Sequence, residues 1–323
     1  MPTNLTPEYR RVEAAYRKAR DPSERLDLLR QMLRVMPKHK GTDHLQAEIK
    51  SRIKQLSEEA AAPRKQRRGG PTHVVRPEGA AQIALVGPPN SGKSALHERL
   101  CGSHATVGPY PFSTTEPLPG MLPFEDVQIQ LVDLPPVSRE HPLPWLYNAL
   151  QPADGCLLVV DLSADDCVDA CRETIEALDG WRVRLTPEWG PTPPAESTGD
   201  EEPDPFRLTL PALLLAAKAD LLDEPAAEVE VFFELLGREF PWRAASVESG
   251  EGLDSLGGWL FKALGVVRAY TKTPGKPADM TRPVILRRGD TMRQVGRDLH
   301  KELGAGMRFA RVWGSETFDG QQV

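Results

Sequence analysis

Eight consecutive residues carry the clearest chemical pattern in the sequence. Residues 87–94 read Gly-Pro-Pro-Asn-Ser-Gly-Lys-Ser, which is the spacing GxxxxGKS. In such a loop, successive backbone N–H groups point at a phosphate chain, the lysine reaches the terminal phosphates and the last hydroxyl ligates Mg²⁺. The pattern predicts a site for a nucleoside triphosphate and Mg²⁺ that is formed by Gly87, Pro88, Pro89, Asn90, Ser91, Gly92, Lys93, Ser94 and Ala95.

The residues on either side of this loop have the patterns of a strand and a helix. The apolar run 82–86 comes directly before it, and 94–101 is compatible with a helix. The start of that helix adds a partial positive charge next to the phosphates. Because both elements that the loop needs are present, a chance match in a turn rich in glycine and serine is the weaker interpretation.

Two further places could contribute to a magnesium site. Asp133 follows the candidate strand 127–132, and a carboxylate at a strand end near the phosphate loop can hold a magnesium-bound water. Thr114 and Thr115 lie in the segment 110–117. A threonine hydroxyl in such a loop can complete the coordination of Mg²⁺ when a γ-phosphate is present.

A third place could recognise the base. Residues 217–220 read Ala-Lys-Ala-Asp after the apolar run 212–216. Asp220 can accept two hydrogen bonds from the N1–H and the exocyclic amine of guanine, a pair that adenine cannot supply, and the stem of Lys218 can cover the base plane. An aspartate that caps an ordinary strand-to-helix turn is the alternative. The loop that begins with Ser246 and Val247 offers backbone N–H groups to the guanine carbonyl.

Strands and helices alternate from residue 81 to about residue 268. The candidate strands are 82–86, 127–132, 155–160, 212–216 and 242–246, and the candidate helices are 94–101, 165–180, 226–236 and 253–264. This alternation predicts an α/β P-loop NTPase fold with a mainly parallel sheet, and ligands beyond the carboxyl ends of its strands. The acidic, proline-rich stretch 186–206 is predicted to be a mobile surface insertion.

The chain begins with a basic region of helical periodicity. We predict a helical region over 1–60 and a basic linker over 61–80. Residues 1–80 carry 18 Lys and Arg against 10 Asp and Glu, whereas the remainder carries 22 against 36. A basic head on an acidic body favours contact with nucleic acid, and a solvated helical face explains the same charges equally well.

The bulk composition indicates a soluble globular protein. Of the 323 residues, 40% are hydrophobic and 27% are charged, and no apolar run approaches the roughly 18 residues of a membrane span. The N-terminus does not have the pattern of a signal peptide, and the four cysteines have no CxxC spacing. These features predict a cytoplasmic protein with reduced cysteines and no membrane partner.

Taken in order, these motifs resemble the Obg-like GTPases of the translation-factor class, in particular the DRG type with a C-terminal TGS domain. Beyond the phosphate loop, the resemblance rests on 37–42, on Tyr110-Pro111-Phe112 with the threonine pair, on 249–253 and on Ala310-Arg311-Val312-Trp313-Gly314-Ser315. It implies a GTPase domain over 81–270. It also implies a small β-grasp-like TGS domain over 281–323, which ends before the last strands expected of that domain.

The resemblance also implies a function and a set of site residues. Members of the family bind GTP or GDP with Mg²⁺, hydrolyse GTP slowly and associate with ribosomes or RNA. Ser94, Thr114 and Asp133 would surround Mg²⁺, where Thr114 is preferred to Thr115 because it keeps the distance to Phe112. Lys93 and Thr114 would be the catalytic residues. The ribosome or RNA would be met through the basic head and the TGS-like tail.

Three positions depart from the family pattern. The family's Asp-x-Pro-Gly ends here in Pro136, which has no N–H to donate to a γ-phosphate. Ala217 replaces an asparagine that ties the base loop to the phosphate loop, and Val247 replaces an alanine but keeps the backbone donor. The alternative to a slow GTPase is therefore a nucleotide-binding scaffold or RNA-binding module with weak or absent hydrolysis. An ATPase or kinase fits poorly, because Asp220 would lack its guanine partner.

Overall fold

The computed structural model describes most of the chain in two compact units. The described residues are 6–19, 22–37, 42–61, 73–102, 116–138, 142–190, 204, 206–273, 275–281, 283–292, 295–296, 309–314 and 320–322. One unit comprises Met1–Val74 with Thr192–Leu208, and the other comprises Val75–Pro191 with Thr209–Val323.

The first unit is built on three helices, α1 (Pro7–Lys18), α2 (Pro22–Val35) and α3 (Asp43–Ala61). Proline begins α1 and α2, where its missing N–H costs no helical hydrogen bond. The apolar positions of all three helices meet in one core. Its buried residues are Tyr9, Tyr16, Leu29, Met32, Met36, Ile49 and Phe206. The predicted helical N-terminal region is therefore confirmed.

Phe206 enters this helical core from a distant part of the sequence. Its ring is 1% exposed and lies edge-on to Tyr16, with the ring centroids 6.3 Å apart. The guanidinium of Arg52 lies 4.3 Å from the centroid of the same ring. The predicted surface insertion over 186–206 falls largely outside the described residues. At its end, however, the chain supplies a core residue of the helical unit.

The second unit contains a seven-stranded sheet. Its strands are β1 (Gln82–Val86), β2 (Leu118–Phe124), β3 (Val127–Asp133), β4 (Gly155–Asp161), β5 (Val183–Thr186), β6 (Leu208–Ala217) and β7 (Trp242–Ala245). The strand order is β2-β3-β1-β4-β6-β5, and β7 also pairs with β6. The pairs β3–β1, β1–β4, β4–β6 and β6–β7 are parallel. This confirms the predicted α/β fold with a mainly parallel sheet.

The predicted strands lie close to the observed ones, but β2 and β5 were not predicted. β2 contains Pro119, Gly120 and Pro123, which argue against a strand in the sequence. These residues are tolerated because β2 is an edge strand of the described sheet, where it pairs with β3 in antiparallel orientation.

Helices connect the strands of the sheet. They are α4 (Lys93–Cys101), α5 (Leu146–Leu150), α6 (Cys167–Gly180), α7 (Pro225–Leu236) and α8 (Leu253–Ala263), and a 3-10 turn covers Ala219–Leu221. The short α5 was not predicted. None of the helices that the structure describes has the length and apolar character needed to cross a membrane.

The last described residues form two small sheets. β8 (Val266–Ala269) pairs antiparallel with β9 (Val284–Arg287), and β10 (Arg311–Val312) pairs antiparallel with β11 (Gln321–Gln322). Arg287 at the end of β9 forms a 2.8 Å ion pair with the buried Asp154, directly before β4. Within the described residues the strands of the tail therefore do not join in one sheet, and the TGS-like domain remains a prediction.

Replacing Phe206 with Ala should destabilise the helical unit by about 3–5 kcal/mol, because the change removes a buried ring and leaves a cavity. All 6 tryptophans lie in the second unit, so their fluorescence follows that unit alone. We expect Phe206→Ala to shift to lower temperature only the part of the helical signal in circular dichroism that comes from α1–α3, and to leave the tryptophan transition in place. Phe309→Ala, which truncates a phenylalanine that is 54% exposed, is the matched control. Equal shifts of both transitions would contradict this assignment.

Candidate nucleotide-binding site

The phosphate loop joins β1 to α4 and depends on two glycines. A Cβ atom at Gly87 would lie 2.2 Å from the carbonyl oxygen of Val159 in β4, so no larger residue fits there. Gly92 precedes α4 with φ of 90°, a left-handed conformation that glycine adopts without strain. Together these glycines bring the loop against β4 and direct the first N–H groups of α4 out of the helix.

Lys93 is the first residue of α4, and its charged end is folded into the loop. Its ammonium donates hydrogen bonds to the carbonyl oxygens of Gly87 at 3.1 Å and Pro88 at 2.6 Å. The residue is 5% exposed. Burial lowers the pKa of Lys93 to about 8, although the negative charge of Asp133 opposes this shift. The ammonium of Lys93 is therefore held inside the loop that the motif predicts to bind phosphate.

Ser94 and Asp133 meet next to this lysine, as the sequence predicts. The register of β1 and β3 places Asp133 beside Leu85, and the Ser94 hydroxyl donates a 2.6 Å hydrogen bond to Oδ2 of Asp133. Asp133 is fully buried. A hydroxyl and a carboxylate oxygen at this spacing are hard ligands that suit Mg²⁺. Thr114, the third predicted ligand, lies outside the described residues.

The segment after Asp133 packs into the protein. Residues 134–137 are all buried. The hydroxyl of Thr174 in α6 donates a 3.3 Å hydrogen bond to the carbonyl oxygen of Val137. Pro136 therefore lies in a packed segment, directly beyond the predicted magnesium ligand.

The predicted base loop follows β6, and a second loop fixes its aspartate. The hydroxyl of Ser246, which is buried, donates a hydrogen bond to Oδ1 of Asp220. The Ser246 oxygen in turn accepts a 3.1 Å bond from the N–H of Ser249, and the N–H of Ser246 donates to the Glu251 carbonyl oxygen at 3.0 Å. Ser246 thus acts here through its hydroxyl, which orients the carboxylate.

Val247, the next residue of that second loop, packs against the main core of the sheet unit. The apolar side chain that departs from the family pattern is therefore accommodated by packing.

The phosphate loop and the base loop approach each other at the carboxyl ends of the parallel strands. A Cβ atom placed on Gly92 would lie 4.0 Å from the Cβ of Ala217. The methyl group of Ala217 therefore stands where the family pattern has a polar side chain. The structure brings the phosphate loop, Asp133 and the base loop to the carboxyl ends of neighbouring strands.

Sequence reasoning missed one charged residue at this edge. Asp161 ends β4, and its Oδ2 lies 2.5 Å from Nζ of Lys218. The signal was an aspartate directly after the candidate strand 155–160, the same pattern that singled out Asp133.

The fold and this arrangement of loops are those of a P-loop GTPase domain. Residues 82–185 match the family described as "50S ribosome-binding GTPase". An uncharacterised GTP-binding protein of Methanocaldococcus jannaschii is 28% identical in an alignment that covers 93% of this chain and 88% of that protein. Developmentally-regulated G-protein 1 of Arabidopsis thaliana is 25% identical in an alignment that covers 87% of this chain and 82% of that protein. The predicted resemblance to DRG-type GTP-binding proteins is thereby confirmed. The TGS domain stays a prediction.

Nucleotide affinity should fall as the pH rises through about 8, the pKa of Lys93. Bound phosphate favours the charged ammonium and raises this pKa, so binding takes up a proton above pH 8. The association constant then decreases by up to roughly tenfold for each pH unit. Titration with a fluorescent GDP analogue from about pH 7 to about pH 9.5 measures the slope. Lys93→Met should bind more weakly with no such slope, and a flat wild-type profile would contradict the assignment.

Proposed function

We propose that this protein is a slow, Mg²⁺-dependent GTPase switch that acts on the ribosome or RNA in the cytoplasm. The observation that carries the proposal is the convergence of the phosphate loop, Asp133 and the Asp220–Ser246 pair at one sheet edge. Both relatives are named as GTP-binding or G-proteins, and the matched family is described as ribosome-binding.

The phosphate end of the proposed site stabilises negative charge. The N–H groups of the loop and of the first turn of α4 face the phosphates, and Lys93 exchanges the carbonyls of Gly87 and Pro88 for phosphate oxygens. These groups stabilise the charge that develops on the transferred phosphoryl group. Mg²⁺ held by Ser94, Asp133 and Thr114 would neutralise further charge on the phosphates.

The other end of the proposed site selects the base. Because the Ser246 hydroxyl holds Oδ1 of Asp220, the carboxylate is oriented before a base arrives. It accepts hydrogen bonds from the N1–H and exocyclic amine of guanine, while adenine would leave it unpaired. The stem of Lys218 covers one face of the base, and the N–H of Val247 lies in the loop that meets the guanine carbonyl.

Two buried residues after Asp133 support slow hydrolysis. Val137 stands where some GTPases carry a water-orienting glutamine, and its apolar side chain is packed away from water. Pro136 cannot donate a backbone N–H to the γ-phosphate. The second candidate function, a nucleotide-binding scaffold or RNA-binding module without hydrolysis, is favoured by the same Pro136 and by Ala217.

The basic head supports contact with the ribosome or RNA. Several of its cationic side chains are exposed on the helices, namely Arg10, Arg11, Arg30, Arg34, Lys50 and Lys54. Lysine and arginine at such positions bind phosphate backbones without reading sequence. In this proposal the head comprises residues 1–60, the linker 61–80 follows, and a TGS-like tail over 281–323 adds a second contact.

Binding and turnover assays separate the two candidates. Fluorescent GTP, GDP and ATP analogues are titrated with Mg²⁺, and phosphate release is then followed with and without ribosomes. We expect GTP and GDP to bind much more tightly than ATP, with slow release of phosphate. Equal affinities for ATP and GTP would contradict the guanine assignment. Guanine binding without any phosphate release, with or without ribosomes, would favour the scaffold.

Pro136→Gly should raise the preference for GTP over GDP by about tenfold, since a hydrogen bond to a charged group contributes about 1.5–3 kcal/mol. Pro136→Ala restores the same N–H with a stiffer backbone and should shift the preference in the same direction. Pro135→Gly is the matched control, because it changes a neighbouring buried proline and leaves position 136 without a donor. An unchanged GTP to GDP ratio in both Pro136 variants would refute the role of the missing N–H.

A further inference from the structure

β4 is the strand that touches both loops of the site. On one side it pairs in parallel with β1, where Val86 lies beside Leu158, and on the other side with β6, where Asp161 lies beside Ala217. The carbonyl oxygen of Val159 lies against Gly87 of the phosphate loop. The end of β4 is therefore the common support of the phosphate loop and the base loop.

The carboxylate of Asp161 is fixed in orientation by contacts to both of its oxygens. Oδ1 accepts hydrogen bonds from the N–H and hydroxyl of Ser163, at 3.1 and 2.6 Å. Oδ2 lies 2.5 Å from the ammonium of Lys218. The Asp161 side chain is 12% exposed, against 43% for Lys218, so the aspartate is the more firmly packed partner.

Asp161 carries its charge at neutral pH. Partial burial opposes ionisation, but the hydrogen bonds from Lys218 and Ser163 outweigh this effect and keep the pKa of Asp161 below its ordinary value. At neutral pH the carboxylate is therefore an anion that can pair with Lys218.

Lys218 lies in a strained turn next to an apolar residue. Its backbone has φ of 55°, a left-handed conformation that costs a lysine about 1–2 kcal/mol. Its neighbour Ala217 faces Gly92 with a methyl group, which cannot form a hydrogen bond to the phosphate loop. Among the described contacts, the pair with Asp161 is the charged contact that fixes the lysine relative to the sheet.

We propose that Asp161 is a positioning residue for guanine recognition, which holds Lys218 over the base plane in place of the polar link that Ala217 lacks. Asp161 acts through Lys218 and does not touch the nucleotide. The inference rests on the proposed binding of guanine nucleotides. In this proposal the base loop is held in place by Asp161 at the end of β4 and not by the side chain of residue 217.

The test compares the affinities for fluorescent GDP and ADP analogues in Asp161→Asn and in the wild type. Asparagine keeps an acceptor for Ser163 and removes the charge that holds Lys218. We expect GDP to bind roughly tenfold more weakly and ADP, which depends on the phosphate loop alone, to bind as before. Adding Ala217→Asn to Asp161→Asn should restore part of the lost GDP to ADP ratio.

Asp169→Asn is the matched control. It removes an aspartate that pairs with Arg172 on the exposed side of α6, and it should leave both affinities unchanged. Asp161→Glu keeps the charge but moves the carboxylate by one methylene. It should lower the GDP to ADP ratio by a smaller factor, and it provides the test should Asp161→Asn fail to fold.

The outcomes separate this inference from the function on which it rests. A wild-type protein that binds GDP and ADP equally would refute guanine recognition itself. A wild type that prefers GDP, with the same preference in Asp161→Asn and Asp161→Glu, would refute the positioning role alone. Equal weakening of GDP and ADP would also refute it, because it would show general damage to the sheet edge.

Discussion

The whole site depends on the parallel register of four neighbouring strands, β3, β1, β4 and β6. This register places Asp133 beside Leu85 and Asp161 beside Ala217. The carboxyl ends of the four strands therefore lie at the same side of the sheet. Successive residues of a strand point to opposite faces, so a slip of β4 by one residue would turn Asp161 away from Lys218. The register is held by the parallel hydrogen-bond ladders that β1 forms with β3 and β4 and that β4 forms with β6.

The same edge concentrates opposite charges in a place that water reaches poorly. Lys93 is buried as a cation among loop carbonyls, with the fully buried Asp133 close enough to favour its charge. Burial of a charge costs free energy unless the charge is paired and hydrogen-bonded. A bound phosphate chain would supply further negative charge to Lys93 and to the N–H groups of the loop. The loop is therefore arranged for an anionic ligand before that ligand is present.

The sequence predicts the elements whose signals are local and misses those whose partners are remote. The strands that end in the phosphate loop and in Asp133 were predicted closely, because short runs rich in Val, Ile and Leu precede recognisable loops. β2 was missed because its prolines and glycine are tolerated only at a sheet edge, and being an edge is a property of the sheet. Phe206 was missed because a lone aromatic among prolines and acids gives no periodicity, and its core is formed by helices far along the chain. Asp161 was missed for a related reason: an aspartate after an apolar run is also an ordinary strand exit, and only the fold brings Lys218 to it.

In the proposed site, binding of a nucleotide and sensing of its γ-phosphate would depend on different parts. The groups that would hold phosphates and base lie on packed strand ends and helix starts, and they meet features that GTP and GDP share. A switch requires contacts that differ between its two states. The backbone at position 136 cannot provide one, since a proline nitrogen carries no hydrogen, and burial of 134–137 together with the bond from Thr174 to Val137 holds that segment in place. In the proposed site, discrimination of GTP therefore falls on Thr114 and its Mg²⁺. The same protein can then recognise guanine well and respond only weakly to the third phosphate, so an activating partner would have the largest effect on turnover and the least on binding.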